Sequence, residues 1–249
     1  MTFEQLVAEG AAVPVEGWDF SWFEGRATEE RPPWGYARLI GERMADATAG
    51  LDIQTGGGEV LASIPKAPGL LRATESWPPN LEIARRNLAP LGGEVVHVDD
   101  RDDLPFPDAT FDLVVSRHPT VVLWPEIARV LRPGGTYLSQ QVGPGSVYEL
   151  SEFMLGPHEI GDSRSSARAV REATAAGLTV VDVRDVSLRM VFNDVAAVVH
   201  FLRKVPWIVP GFTVEKFHDR LVAMHERITA DGPYVTHSTR FLIEAHKAA

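Results

Sequence analysis

Three acidic residues follow short apolar runs in the first half of the chain. Asp52 lies in the run LDIQT, Glu75 ends the run LLRATE, and Asp99 ends the run EVVHVD. A carboxylate offers two acceptor oxygens in one plane, so the second acid could bind both hydroxyls of a ribose. The third acid could accept a hydrogen bond from an exocyclic adenine amine. Together the three acids point to a ligand of the adenosine type.

A run of three glycines, Gly56, Gly57 and Gly58, comes directly after the first of these apolar runs, which we predict to be a strand. Glycine takes positive φ angles and allows the backbone to approach a ligand closely. The helix predicted after the glycines would point its unpaired N–H groups at the same place, which suits a carboxylate or a phosphate. The alternative is a tight strand-to-helix turn that binds nothing.

Predicted strands and helices alternate along the chain and would position these residues. The predicted strands cover residues 51–55, 70–75, 94–99, 111–116, 136–142, 178–185 and 234–247. The predicted helices cover residues 34–50, 58–67, 78–89, 125–131, 165–176, 193–203 and 214–230. This alternation predicts a parallel sheet with right-handed crossovers, in which ligands bind at the carboxyl ends of the strands.

The composition narrows the class of protein. The 249 residues are 45% hydrophobic and 23% charged, and no apolar run reaches the roughly 20 residues of a membrane helix. The N-terminus lacks a basic-then-apolar signal, and there is no cysteine to form disulfides, thiolate metal sites or a thiol nucleophile. A net charge of −10 would repel a phosphate backbone. We therefore expect a cytoplasmic protein with no membrane or nucleic-acid partner.

A nicotinamide dinucleotide site is excluded because Leu61 stands where the motif G-x-G-x-x-G needs its third glycine. The chain instead resembles the class I S-adenosylmethionine-dependent methyltransferases over residues 50–143. The blocks that carry the resemblance are DIQTGGG, ESWPPNLEIAR, HVDDRDDLPFPDATFDLVVSRH and IARVLRPGGTYL.

The resemblance implies a Rossmann-like α/β fold with a seven-stranded, mostly parallel sheet and helices on both faces. An N-terminal helical segment and a helical insertion before the last strand would be added to it. We expect one methyltransferase domain over residues 1–249, with a cap segment at 1–49 and a helical insertion or lid at 193–230. The cofactor-binding core would comprise residues 50–192 and 231–249.

The resemblance also implies a cofactor, S-adenosyl-L-methionine, a product, S-adenosyl-L-homocysteine, and no metal. The residues it assigns to the cofactor are Asp52, Gln54, Gly56, Gly58, Glu75, Trp77, Asp99, Asp100, Ser116 and Arg117. Gln54 replaces the first glycine of the family motif and could contact the cofactor itself. Trp77 could cover the adenine face or pack on its own helix.

Histidine and aromatic residues indicate where the molecule that accepts the methyl group would bind. His118 is the best-placed histidine for a general base, which a hydroxyl or protonated amine acceptor requires. The alternative is that it lines the pocket, where we also expect Trp22 and Tyr36. The aromatic segment at residues 18–36 and the apolar segment at 193–212 would cover the site as two lids, or else complete the core or form a dimer interface.

Three functions remain open. A small-molecule methyltransferase, acting on O, N or C, is favoured by the apolar segments and the acidic charge. An rRNA or tRNA base methyltransferase is the second, because GPGSVYELSEFMLGPHE faintly resembles a loop of bacterial rRNA guanine methyltransferases, whose cysteine zinc module is absent. The third is a cofactor-binding protein without catalysis. We predict an enzyme of the first kind, as a monomer or homodimer.

Overall fold

The structure is a computed structural model that describes residues 1–15 and 20–249. The strands in this part of the chain are β1 (Ala27–Glu29), β2 (Ala49–Ile53), β3 (Leu70–Glu75), β4 (Glu94–His97), β5 (Phe111–Arg117), β6 (Leu131–Val142), β7 (Leu178–Phe192) and β8 (Tyr234–Lys247). The α-helices are α1 (Phe3–Ala12), α2 (Tyr36–Asp46), α3 (Glu59–Ala62), α4 (Pro78–Leu88), α5 (Trp124–Val130), α6 (Tyr148–Leu155), α7 (Ser166–Ala175), α8 (Val195–Lys204) and α9 (His218–Asp231).

The strands hydrogen-bond in the order β1-β7-β8-β6-β5-β2-β3-β4. The four pairings β2–β3, β2–β5, β3–β4 and β5–β6 are parallel, whereas β6–β8 and β1–β7 are antiparallel. The Rossmann-like α/β fold is therefore confirmed, but the prediction of seven mostly parallel strands is wrong, since the described residues form a mixed sheet of eight. The added strand β1 has only three residues, too few to show an alternating pattern.

The chain divides into two compact units. The first unit comprises Met1–Arg31, Gly145–Gly161 and Ser187–Thr239. The second comprises Pro32–Pro144, Asp162–Val186 and Arg240–Ala249. Strands β7 and β8 each contribute residues to both units. The predicted division into cap, core and insertion is drawn along other boundaries and stays a prediction.

The second unit holds the parallel strands and covers both of their faces. All five residues of β2 are buried, as expected for a central strand of a parallel sheet. The core on one face includes Leu51, Val114, Tyr137, Trp124, Ile127, Ala169 and Ala173, the last four from α5 and α7. The core on the other face includes Val115, Leu138, Ile40, Met44, Leu61 and Leu81, the last four from α2, α3 and α4.

Two local signals shape the second unit near the glycine run. Helix α4 begins with Pro78, which is tolerated there because the first helical N–H groups have no partner. Helix α3 ends at Ala62, five residues before the predicted end. The reason is Pro65, which disfavours helical backbone at Ile64.

The first unit is built around the apolar helix α8, in which nine residues are buried. The carboxylate of Asp194 caps this helix by accepting from the Ala197 N–H at 2.8 Å. Arg26 donates to Asp194 at 3.2 Å and to Glu9 at 2.5 Å, which links α8 to α1. Helix α1 lies within the predicted N-terminal helical segment, although the only helix bounds predicted there, 34–50, correspond to α2. Helix α6 has no counterpart among the predicted helices.

The aromatic residues predicted to form one covering segment fall into both units. Trp18 lies outside the described residues. Trp22 belongs to the first unit, where its ring lies 5.0 Å from that of the buried His200. Trp34 and Tyr36 belong to the second unit and are buried there. In the described part of the chain, no helix combines the length and apolar character that crossing a membrane requires.

Replacing Gly10 by valine tests the packing of α1 on α8. A Cβ at Gly10 would collide with the backbone carbonyl of Ala196, so the two helices would have to separate. We expect Gly10→Val to lower the free energy of unfolding by about 1–3 kcal/mol, measured by urea denaturation. The matched control Ala8→Val lies on the exposed side of α1 and should cost about 0.5 kcal/mol. Equal losses in both variants would contradict this packing.

Candidate cofactor and acceptor site

The glycine run forms a tight turn against α4. Gln54, Gly56 and Gly58 have φ angles of 56°, 65° and 75°. A Cβ on Gly58 would lie 3.2 Å from Cγ of Leu88, so α4 leaves little room for a side chain there. The Asn87 side chain on the same helix donates to the Gly57 carbonyl at 2.8 Å. Positive φ and close packing therefore both favour glycine in this turn.

Glu75 is the last residue of β3 and joins three elements through its carboxylate. One oxygen accepts the Gly56 N–H at 2.8 Å and the other accepts the Trp77 N–H at 2.9 Å. The side chain is buried, with 6% of the residue exposed. Burial raises the pKa of Glu75, while the bonds from Trp77 and Gly56 act against that rise. Each oxygen retains a lone pair, which leaves acceptor capacity for a diol.

Gln54 ties the glycine turn to the segment that follows β5. Its side-chain amide donates to the Val121 carbonyl at 2.7 Å and accepts the Thr120 N–H at 2.6 Å. Its backbone N–H donates to the Thr74 hydroxyl at 3.1 Å. A residue other than glycine at positive φ costs of order 1–3 kcal/mol, and these bonds offset that cost. No local motif indicated Thr120 or Val121 as site residues.

A cleft opens at the carboxyl ends of these strands. Its lining includes Gln54, Asp99, Asp100, Ser116 and Pro119. Asp100 accepts a short hydrogen bond from the Thr120 hydroxyl, whereas Asp99 is exposed.

Asp52 lies on β2, just before the glycine turn, and is buried. The Thr55 hydroxyl donates to its carboxylate at 2.7 Å. Burial raises the pKa of Asp52 to about 7, the Thr55 bond opposes the rise, and Glu75 adds to it. A substantial fraction of this side chain is therefore protonated and neutral at neutral pH.

Ser116, near the end of β5, is the centre of a buried polar cluster. Its hydroxyl lies 2.7 Å from the Tyr137 hydroxyl and 2.9 Å from that of Ser139. Its carbonyl accepts the Tyr36 hydroxyl at 2.8 Å. Burial raises the pKa of Tyr36 well above its usual value, so this phenol stays protonated.

His118 follows β5 with a φ angle of 55°. Its backbone N–H donates to the Gln140 carbonyl at 2.7 Å, and its ring Nε2 lies 2.9 Å from Nε2 of the same glutamine. Burial, then Arg117, Arg240 and Arg164, hold the pKa of His118 well below its ordinary value. The imidazole is therefore neutral near pH 7.

The structure brings most of the predicted cofactor residues to this edge of the second unit. Trp77 contributes its backbone N–H there, and its side chain is 42% exposed beside Glu75. Trp22 belongs to the first unit and packs on His200. Gln140 contacts His118, and Trp34 donates to Gln140. Neither Gln140 nor Trp34 was among the predicted site residues. Among the described residues, no three or more His, Asp or Glu side chains lie close enough together to hold a metal ion.

The pH dependence of stability tests the burial of Asp52. The unfolded chain loses this proton near pH 3.8, whereas the folded chain keeps it up to about pH 7. The folded state therefore binds more protons in this window, and ionisation lowers the free energy of unfolding by about 4 kcal/mol at most as the pH rises. We expect Asp52→Asn to gain stability over wild type progressively from about pH 4 to pH 8 in urea titrations.

Asp112→Asn is the matched control with the opposite sign. Burial acts to raise the pKa of Asp112, but hydrogen bonds from Thr48 and Ala49 outweigh it and lower the pKa. Its ionised form stabilises the fold at neutral pH, and this contribution is lost as the pH falls. The loss in Asp112→Asn should therefore shrink towards acid pH. A pH-independent difference for Asp52→Asn would contradict a buried, protonated carboxyl.

Comparison with known proteins agrees with this architecture. Residues 51–139 match the family model of a methyltransferase domain. A candidate methyltransferase from Bacillus halodurans C-125 is 18% identical over 87% of this chain and 99% of its own, with a TM-score of 0.60. The YcgJ protein from Bacillus subtilis is 18% identical over 86% of this chain and 98% of its own, with a TM-score of 0.61.

A third structure is geranyl diphosphate methyltransferase in complex with S-adenosylmethionine. It is 14% identical over 86% of this chain and 84% of its own, with a TM-score of 0.52. A search of curated proteins returned no match. At such low identities the structures demonstrate a shared fold. Residues 51–139 therefore match a methyltransferase domain, within a fold that the chain shares with solved methyltransferases.

Proposed function

We propose that the chain binds S-adenosylmethionine in the cleft of the second unit and transfers its methyl group to a small-molecule acceptor. S-adenosylhomocysteine is then the product. The observation that carries the proposal is the buried Glu75 carboxylate, which two backbone N–H groups hold at the end of β3. Its remaining lone pairs suit the two hydroxyls of a ribose.

The other predicted residues take roles around that anchor. Asp99 and Asp100 line the cleft and would accept from the adenine amine. Trp77 would cover the adenine face, because its exposed side chain follows the ribose-binding acid. The remaining predicted cofactor residues are Asp52, Gln54, Gly56, Gly58, Ser116 and Arg117. Of these, Gln54 holds the segment after β5 at the cleft through Thr120.

The cofactor supplies a methyl group on a positively charged sulfur that leaves as a neutral thioether. The contribution of the chain is to position the acceptor in line with that methyl and to exclude water. Tyr36, whose hydroxyl donates to the Ser116 carbonyl, and His118, which follows β5, belong to the second unit and remain proposed acceptor-site residues. Trp22 and the two covering segments stay predictions, as do the cytoplasmic location and the oligomeric state.

Two observations support a small acceptor over RNA. The net charge of −10 opposes binding of a phosphate backbone. Geranyl diphosphate methyltransferase, a relative in fold, is named for a small acceptor.

Replacing Glu75 tests the cofactor site. We expect Glu75→Gln to weaken S-adenosylmethionine binding at least tenfold, about 1.4 kcal/mol, because an amide cannot accept from both backbone N–H groups and a diol. Isothermal titration calorimetry measures this change. The control Glu82→Gln removes an exposed carboxylate on α4 that pairs with Arg85, and it should leave affinity unchanged. Tight binding of a nicotinamide dinucleotide with none of the sulfonium cofactor would overturn the proposal.

The class of acceptor is tested with methyl-labelled cofactor and two acceptor pools. One pool is the small-molecule fraction of a bacterial extract, and the other is total RNA from the same cells, assayed at low and moderate salt. We expect label to enter the small-molecule pool only. Labelled RNA that persists at moderate salt would establish the alternative of an RNA methyltransferase. Cofactor binding with no labelled product in either pool would establish a protein without catalysis.

A further inference from the structure

The imidazole of His118 ends a hydrogen-bond chain that begins at Trp34. The indole Nε1 of Trp34 donates to the side-chain oxygen of Gln140 at 2.7 Å. An indole nitrogen can only donate, so the amide oxygen must face Trp34. The amide nitrogen of Gln140 then faces Nε2 of His118 at 2.9 Å. Because an amide nitrogen also only donates, Nε2 is the unprotonated acceptor in this pair.

This arrangement decides where the single proton of the neutral imidazole lies. With Nε2 accepting, the proton is on Nδ1. The lone pair that could take a proton from an acceptor is already bonded to Gln140. His118 is therefore arranged to donate a hydrogen bond, and action as a general base would require the chain from Trp34 to break.

Three arginines act on this imidazole: Arg117, Arg164 and Arg240, which we call the arginine cluster. Strand register brings two of them to one face of the sheet. Arg117 pairs with Gln140 across β5 and β6, and Arg240 pairs with Val142 across β6 and β8. Paired residues point to the same face, and so do residues two apart along a strand. Arg117, Gln140 and Arg240 therefore share a face at the carboxyl end of β5.

The charged groups that act on His118 are arginines, in a chain whose net charge is −10. Within residues 1–15 and 20–249, Arg117 and Arg164 form no ion pair with a carboxylate. Burial is the first cause of the lowered pKa of His118, and the charges of Arg117, Arg240 and Arg164 lower it further. Neutral Trp34 and Gln140 complete the surroundings of the ring. Such a local positive field attracts an anion.

We propose that the methyl acceptor is a carboxylate, bound by the Nδ1–H of His118 and by the arginine cluster, and methylated on oxygen to a methyl ester. The inference rests on the methyl transfer proposed above and names its substrate class. An ionised carboxylate needs no base because it carries no proton on the attacking oxygen. It also accepts the paired donors of a guanidinium, which matches the arginines at this end of β5.

The reaction balances without a proton. A carboxylate oxygen forms the new bond to the methyl carbon, and the bond from that carbon to sulfur breaks with its electron pair left on sulfur. The negative charge of the acceptor and the positive charge of the sulfonium cancel. Methylation of a hydroxyl or an ammonium group would instead release one proton per turnover.

The substrate class is tested with matched acceptors and methyl-labelled cofactor. The probes are aliphatic, aromatic and amino-acid carboxylic acids, each assayed beside its primary amide, its alcohol and the phosphate monoester of that alcohol. We expect label to enter only the acids, without proton release, and to be recovered as methanol after mild alkali, which hydrolyses methyl esters.

The other outcomes separate this inference from the function on which it rests. Alkali-stable products from an amide, an alcohol, a phosphate ester or the extract pool would overturn the carboxylate acceptor and leave small-molecule methylation standing. No labelled product from any probe or from the extract would overturn both.

The state of His118 is tested without catalysis, by nitrogen NMR of the free protein. We expect Nδ1 protonated and Nε2 unprotonated from neutral to mildly acidic pH. In Gln140→Glu the carboxylate accepts from both neighbours, so the proton should move to Nε2. If that buried acid prevents folding, Trp34→Phe frees the amide to rotate and should give a mixture of both tautomers. A wild-type ring with its proton on Nε2 would overturn the donor role.

The arginine cluster is tested at Arg164, with Arg171 as the matched control. Arg171 is exposed on α7 and already pairs with Asp162. For a carboxylate acceptor, we expect Arg164→Gln to raise KM about tenfold with little change in kcat or in cofactor affinity. Arg171→Gln should leave all three unchanged. Equal KM values in the two variants would overturn the assignment of Arg164 to the acceptor.

Discussion

The buried carboxylate of Glu75 is the interaction on which the candidate site depends. Its two oxygens accept the N–H groups of Gly56 and Trp77, and so connect the end of β3 with the glycine turn and the start of α4. A buried carboxylate is costly unless it is hydrogen-bonded, and backbone donors cannot rotate away as side chains can. The same group that could bind a ribose therefore also fixes the loop geometry around it.

Gln54 shows how one departure from the family motif is accommodated. The position requires positive φ, which explains why glycine is usual there in the family that the chain resembles. Gln54 adopts this backbone conformation, and its side-chain amide bonds to the backbone of Thr120 and Val121 at the cleft. A strained local conformation is thus compensated by contacts made elsewhere in the second unit.

The protonation of His118, at the proposed site of the methyl acceptor, depends on the direction of the hydrogen bonds that lead to it. A donor at Trp34 orients the Gln140 amide, and that amide orients the proton of His118. The sequence places His118 after the fourth predicted strand. A histidine at that position is compatible with a general base or with a hydrogen-bond donor. The surrounding arginines and the Gln140 bond favour the donor, which is why an acceptor that is already an anion agrees best with this site.

The sequence by itself determined the elements whose signals are local. Strands β3 and β8 were predicted to the residue, and Glu75 ends β3 as predicted. The glycine turn was recognised from a short motif, whereas Asp99 lies two residues beyond the end of β4. Contacts between distant residues were decided by the tertiary structure alone. Gln54 and Thr120 are 66 residues apart and Trp34 and Gln140 are 106 apart, and β1 exists only through its pairing with β7. Such contacts leave no periodicity in the chain, because they form only when folding brings separate elements to the same strand ends.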